Sequence, residues 1–149
     1  MCIRDSDRSY PVTPDGIACI KISGVLTKEP YWGTTAYDEI AEMCSDAMND
    51  PSVKAVLLSI NSPGGEVGGM FDLADALYAA RAQKPLAAIS NDSAFSAAYA
   101  LASSTERIFS TRVGGTGSIG CVCAHIDYSK MLEADGINVS YVYSGSRCV

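Results

Sequence analysis

Ser96 stands in Asn91-Asp92-Ser93-Ala94-Phe95-Ser96-Ala97-Ala98-Tyr99, between a run of strand character and a helix that opens on two alanines. The unpaired N–H groups and positive dipole end of such a helix favour negative charge nearby. A serine oxygen attacking a carbonyl there would leave its oxyanion within reach of the Ala97 N–H. The competing reading is an N-cap, which serine favours for the same geometric reason, and Ser93 competes for that role. A second turn, Ser62-Pro63-Gly64-Gly65, pairs a fixed φ with two glycines that let the backbone approach a ligand closely. Its glycine N–H groups are candidates for the other half of an oxyanion hole, against the plainer reading of a strand-to-helix loop. It lacks the lysine of a phosphate loop and the third glycine of a dinucleotide fingerprint. Cys121, Cys123 and His125 alternate, so on a strand they would share one face. A zinc site needs a fourth ligand and usually a C-x-x-C spacing, so core thiols and a strand-end histidine are expected and no metal site. His125, the single histidine, remains a possible base for Ser96.

The elements around these turns alternate. Gly16 to Leu26 reads as a strand bent at Gly24. A capping box at Thr35-Ala36-Tyr37-Asp38 opens a helix carrying Tyr37, Ile40, Ala41, Cys44, Ala47 and Met48 on one side, and Asn49-Asp50-Pro51 stops it. Val53 to Ile60 is a nearly continuous apolar run, as in a parallel strand covered on both faces. The next helix places Val67, Met70, Phe71, Ala74, Leu77, Tyr78 and Arg81 on one side. A strand Leu86 to Ile89, a polar turn Ser90 to Phe95, a helix Ala97 to Ser103 and a strand Arg107 to Ser110 follow. After a glycine-rich stretch come a strand Ile119 to Ala124, a helix through Met131 and Leu132 closed by Gly136, and a strand Val139 to Tyr143. This alternation predicts an α/β fold with a parallel sheet, whose ligands gather at the carboxyl ends of strands. Both unusual turns fall there.

Length and composition narrow the classes. The 149 residues correspond to one domain, and 48% hydrophobic against 19% charged residues excludes disorder for most of the chain. A net charge of −6 with scattered Lys and Arg argues against nucleic acid as a partner. No apolar run approaches the roughly 18 residues of a membrane span. Six irregularly spaced cysteines, several in apolar runs, point to reduced thiols rather than disulfides, and to a location not exported. Residues 1–9 read as a leader outside the domain at 10–149, and the stop after Gly145 reads as that of a fragment.

Three motifs occur in order: Leu58-Ser59-Ile60-Asn61-Ser62-Pro63-Gly64-Gly65-Glu66-Val67, then Ser96-Ala97-Ala98-Tyr99-Ala100-Leu101-Ala102, then Thr116-Gly117-Ser118-Ile119-Gly120. This order resembles the S49 peptidase family, of the signal peptide peptidase A type, and within it the phage and prophage head-protease branch. The resemblance runs from about Gly16 to Gly145. It implies a ClpP/crotonase-like fold and peptide-bond cleavage by a Ser/Lys dyad. By position, Ser96 matches the nucleophile, the Gly65 and Ala97 N–H groups the oxyanion hole, and Ser118 a serine that holds the general-base lysine. Two departures stand out. Ser96-Ala97-Ala98 replaces the common Ser-Gly-Gly, and the lysine expected soon after Gly145 is absent where the chain reads Ser146-Arg147-Cys148. Arginine cannot take its place because it does not deprotonate, and Lys130 reads as a solvated surface residue.

The leading expectation is a serine endopeptidase acting on extended polypeptide, such as a capsid or scaffold precursor, in the cytoplasm or a phage prohead. The rim Gly64, Glu66, Val67 and Gly68 would pair with a substrate strand by β-addition. The chain alone is expected to be inactive, to work as a homo-oligomer, and to need no cofactor. Two other readings remain open: a ClpP-like peptidase using His125, and a catalytically inactive assembly subunit.

Overall fold

The computed structural model describes residues 8–142 and 144. Seven strands and four helices alternate through it. Strand β1 (Ile17–Ser23) runs up to Gly24, which bends the chain at φ +75° into a short strand β2 (Val25–Thr27). β3 (Thr34–Ala36) leads into helix α1 (Tyr37–Asn49), and β4 (Ala55–Ser62) precedes α2 (Met70–Ala80). β5 (Leu86–Phe95) feeds α3 (Ala97–Ser103), and β6 (Arg107–Ser110), β7 (Gly115–Gly117) and α4 (Ser129–Ala134) complete the order. The main sheet is parallel throughout, ordered β1-β4-β5-β6, with β7 also on β5. β2 and β3 form a separate parallel pair.

Burial explains the layering. Ala18, Ile20 and Ile22 of β1, Val56, Leu58 and Ile60 of β4, and Leu86 and Ala88 of β5 are all 0–1% exposed. They face Tyr37, Ile40, Leu73, Leu77, Ala98 and Leu101 of the three helices in one core. Each large aliphatic there contributes about 1.5–3 kcal/mol. Their odd-numbered neighbours, such as Ile17, Leu57 and Ile89, are only half-buried. The sheet is therefore fully covered on one face, not on both as the apolar run at Val53 to Ile60 suggested.

Other expectations shift for stated reasons. The capping box moves one residue. Ala36 is the N-cap and the Glu39 carboxylate accepts its N–H at 3.2 Å, while the Thr35 hydroxyl donates to Ser23 O instead. α2 buries Met70, Leu73 and Leu77, leaving Phe71 and Tyr78 exposed; Tyr78 instead stacks under the Arg81 guanidinium. The polar stretch Ser90 to Phe95 is strand rather than turn, because β7 supplies it with a neighbour. Ile119 to Ala124 and the described part of Val139 to Tyr143 form no strand; a strand needs a ladder partner, and neither segment has one among the described residues. Gly136 does close α4, at φ +72°, with Gly136 N–H to Glu133 O and Ile137 N–H to Leu132 O in a Schellman pattern. At the amino end Arg8 bonds Asp50 and Ser52 on the surface, and Tyr10 is buried. Residues 1–7 of the expected leader, Tyr143, and the expected lysine position after Gly145 lie outside the described residues.

Candidate active site

Two strands end beside each other and hand their chains to helices. β4 ends in Ser62, wholly buried, whose hydroxyl accepts the Gly64 N–H at 3.1 Å. This folds the Pro63 turn back on itself. Gly64 sits at φ +99°, and a Cβ there would lie 2.7 Å from the Ser96 Cβ and 3.0 Å from the Ala97 nitrogen. Glycine is required at this position twice over, by conformation and by space. The contact brings the diglycine turn and the start of α3 together.

Gly65 is fixed from its other side. Leu26 N–H donates to Gly64 O and Glu66 N–H donates to Leu26 O, each at 2.9 Å, which makes Gly65 a one-residue parallel bridge to Leu26. In a parallel ladder the bridged residue's own N–H and C=O point to the opposite edge. The Gly65 amide accordingly faces away from Leu26 and has no hydrogen-bond partner among the described residues. A Cβ on Gly65 would come within 1.8 Å of Leu26 O. Glu66 completes the clamp, its C=O accepting the Tyr37 hydroxyl at 2.5 Å and its carboxylate accepting the Lys28 N–H at 2.7 Å. Burial, reinforced by the Glu66 charge, pushes the Tyr37 hydroxyl up to about 12, so it stays a donor.

Ser96 precedes α3 at φ 51° and ψ −121°, half-buried, and its hydroxyl makes no capping bond. Ser93, the competing cap, donates to Asn61 Oδ1 at 3.0 Å. Ser96 and Ser118 are the two non-glycine residues with positive φ among those described, both at 51°. Such backbone costs of order 1–3 kcal/mol and concentrates at functional sites. The two serines are neighbours by register: Phe95 pairs with Gly117, and Ser96 N–H donates to Gly117 O at 2.7 Å. The Ala97 N–H, first of α3, has no partner among the described residues.

The remaining candidates lie apart from this cluster. Val67 and Gly68 extend the rim beyond Glu66 and are exposed. Cys121, Cys123 and His125 are exposed on an irregular segment, and no group of three or more metal-binding side chains occurs among the described residues. The described cysteines are free thiols. No helix among the described residues is long and apolar enough to cross a membrane.

Sequence reading missed how the two site-bearing strands are joined. β4 and β5 lose register between Ile60 and Ser62, where Ile60 pairs with Ser90 but Ser62 with Ala94. Asn91 to Ser93 bulge opposite Asn61, and side chains bridge the gap. The one available signal was the polar run Ser90 to Ser93 interrupting an apolar strand.

Comparisons with known proteins bear on the family and the fold. The model of peptidase family S49 matches residues 78–147, a span that includes Ser96 and Ser118. Capsid assembly protease C of Escherichia phage lambda is 41% identical over 147 residues, covering 95% of this chain and 33% of that protein. The head-tail preconnector protein GP5 of Enterobacteria phage P21 is also 41% identical, over 95% of this chain and 29% of its own length. Protease 4 of Salmonella typhi is 36% identical over 70% of this chain and 17% of its own. The chain thus spans about a third or less of these relatives. Among solved structures, a mutant of the 1510-N membrane-bound stomatin-specific protease has a TM-score of 0.63 at 15% identity, covering 83% of this chain and 60% of that one. An enoyl-CoA hydratase/isomerase family member has a TM-score of 0.53 at 18% identity, covering 68% and 46%. At these identities they show the fold, which is the crotonase-like α/β arrangement expected.

Proposed function

The chain belongs to peptidase family S49, and from that premise we propose that it is the nucleophile-bearing part of a serine endopeptidase that cleaves extended polypeptide. Ser96 Oγ attacks the scissile carbonyl while its proton passes to a neutral lysine amine. The oxyanion is received by the N–H groups of Gly65 and Ala97, and Ser118 orients the lysine. Collapse of the tetrahedral intermediate expels the amine of the cleaved bond, and water then releases the acyl group from Ser96. The carrying observation is the strained, uncapped Ser96 held against Gly64 beside two amides that have no partner among the described residues. The lysine must lose its proton near neutral pH, which desolvation or neighbouring positive charge achieves. Residues 146–149 contain no lysine at the position implied by the family, and Lys130 is exposed on α4, so the chain alone is proposed to turn over poorly.

Substrate is proposed to lie as an added strand along the edge of the rim that Leu26 leaves open, contacting Gly65 and Val67, with Gly68 beyond them. Gly64 and Glu66 shape that rim, since their polar groups are already engaged by Ser62, Leu26, Lys28 and Tyr37. The phage relatives suggest capsid or scaffold precursors as substrates, action in the prohead or host cytoplasm, and a homo-oligomeric assembly.

A fluorophosphonate tests the assignment. Label should attach at Ser96, vanish in Ser96→Ala, persist in His125→Gln, and accumulate at least tenfold faster when the chain is extended past Val149 to include a lysine, a gain within that expected of a positioned base. Undiminished labelling of Ser96→Ala would overturn it.

A further inference from the structure

The register break between β4 and β5 places polar side chains where backbone bonds are missing. Asn61 is paired through its backbone to the β1 side, its C=O accepting the Gly24 N–H at 3.1 Å. Its side chain spans the gap on the other side. Nδ2 donates to Asp92 Oδ2 at 3.1 Å, and Oδ1 accepts the Ser93 hydroxyl at 3.0 Å. One residue on, the chain enters the Ser62 turn; three residues after Ser93 stands Ser96. The bulge is held from its far side too, where the Thr111 hydroxyl donates to Asn91 O and Thr111 N–H to Ser90 O. Asn91 Nδ2 donates to Ser59 Oγ at 2.9 Å, tying the bulge back to β4 one turn of the pleat earlier.

We infer that Asn61 is a positioning residue, a two-pronged clasp across the β5 bulge that sets the distance between the Gly65 amide and Ser96. The inference rests on the proposed role of Ser96. Its chemistry is specific: the bulge offers one acceptor at Asp92 and one donor at Ser93, and an amide side chain answers both at once. Aspartate at position 61 keeps the shape and the acceptor but sets a carboxylate against a carboxylate, and like charges at this spacing repel.

The experiment compares Asn61→Asp, Asp92→Asn and the double variant at pH 8. Three quantities are read: the rate of Ser96 labelling by a fluorophosphonate, the amide NMR resonances of Gly64, Gly65 and Ala97, and the thermal midpoint. Asn61→Asp should label about tenfold more slowly and move those three resonances, a repulsion moderated by exposure and salt. Asp92→Asn, which retains an amide-to-amide bond, should stay within about twofold. The double variant exchanges donor and acceptor at constant net charge and should recover both the rate and the resonances. A merely structural role predicts that rate and thermal midpoint fall together; a clasp predicts a rate change with little change in midpoint. The inference is overturned if Asn61→Asp leaves the resonances in place, or if the double variant stays as defective as the single one, since the charge at 61 would then act directly. Failure of the chain extended past Val149 to label, with the resonance shifts intact, would instead sink the nucleophile assignment and leave the clasp standing.

Discussion

At Ser96, stability and chemistry pull in opposite directions. Its φ of 51° lies where a Cβ is strained, yet replacing it by glycine would also free the unfolded chain. The strain is of order 1–3 kcal/mol and the glycine entropy cost about 0.4–1 kcal/mol, so strain wins. Ser96→Gly should therefore be more stable than Ser96→Ala by about 1 kcal/mol, although both lose the hydroxyl. Urea unfolding of the two variants measures the difference directly, and equal midpoints would show that the surrounding turns impose no strain. Gly64 provides the contrast. There positive φ and a 2.7 Å approach to the Ser96 Cβ both demand glycine, so substitution has nothing to relieve. Residue types and spacing single out Ser62 to Gly65 and Ser96 as candidates before any coordinates, whereas Ser118 enters only through the family resemblance. The partners that hold them were not visible, because Asn61 lies 31 positions from Asp92 and pairs with it only through a bulge.

At the scale of elements, periodicity identified the helices and most strands, and failed where an element depends on its neighbour. α1 was legible because Tyr37, Ile40, Cys44, Ala47 and Met48 recur at helical spacing and are all buried. β7 was not, because Gly115-Thr116-Gly117 has no strand-forming composition and becomes a strand only by pairing with β5. Ile119 to Ala124 errs the other way, having strand composition and no ladder partner among the described residues. The end of α1 illustrates a device that composition conceals. The helix has no basic residue in its last turn; Lys84, brought round after α2, donates to Ala47 O at 3.0 Å and Asp50 O at 2.6 Å. A cation on those carbonyls satisfies two acceptors and opposes the negative end of the helix. Lys84→Met keeps most of the aliphatic stem and removes the charge, so it should cost about 1–2 kcal/mol of stability with Ser96 labelling unchanged. A shift of the urea midpoint below a few tenths of a kcal/mol would mean that water replaces the ammonium without loss.

For the whole molecule, the buried titratable groups set how stability responds to alkali. Burial, with the Glu66 charge adding to it, raises the Tyr37 hydroxyl to about 12 from an ordinary value of 10.0, and burial alone raises the Cys44 thiol to about 12 from 9.0. Both sit in α1, against the same core that supports Gly64 to Glu66. The folded state thus holds these two protons longer than the unfolded chain does, and that of the Tyr10 hydroxyl as well, which burial and the nearby Asp50 and Asp46 charges also raise. Their contribution is complete below about pH 9 and is lost as pH rises from there through 12, because unfolding releases protons over that window. A chain of net charge −6 also repels itself more strongly as further groups ionise, which destabilises it in the same direction. Single substitutions separate the two causes. Cys44→Ala and Tyr37→Phe remove one proton each while leaving the overall charge near neutrality unchanged. Each should flatten the fall of the urea midpoint between pH 9 and 11, whatever it costs at pH 7. Tyr37→Phe should in addition slow Ser96 labelling, since it frees the Glu66 carbonyl that anchors the diglycine rim, whereas Cys44→Ala should not. If both variants follow the wild-type slope, the Tyr37 and Cys44 protons do not govern the alkaline response, which then falls to general charge repulsion and the buried Tyr10 hydroxyl.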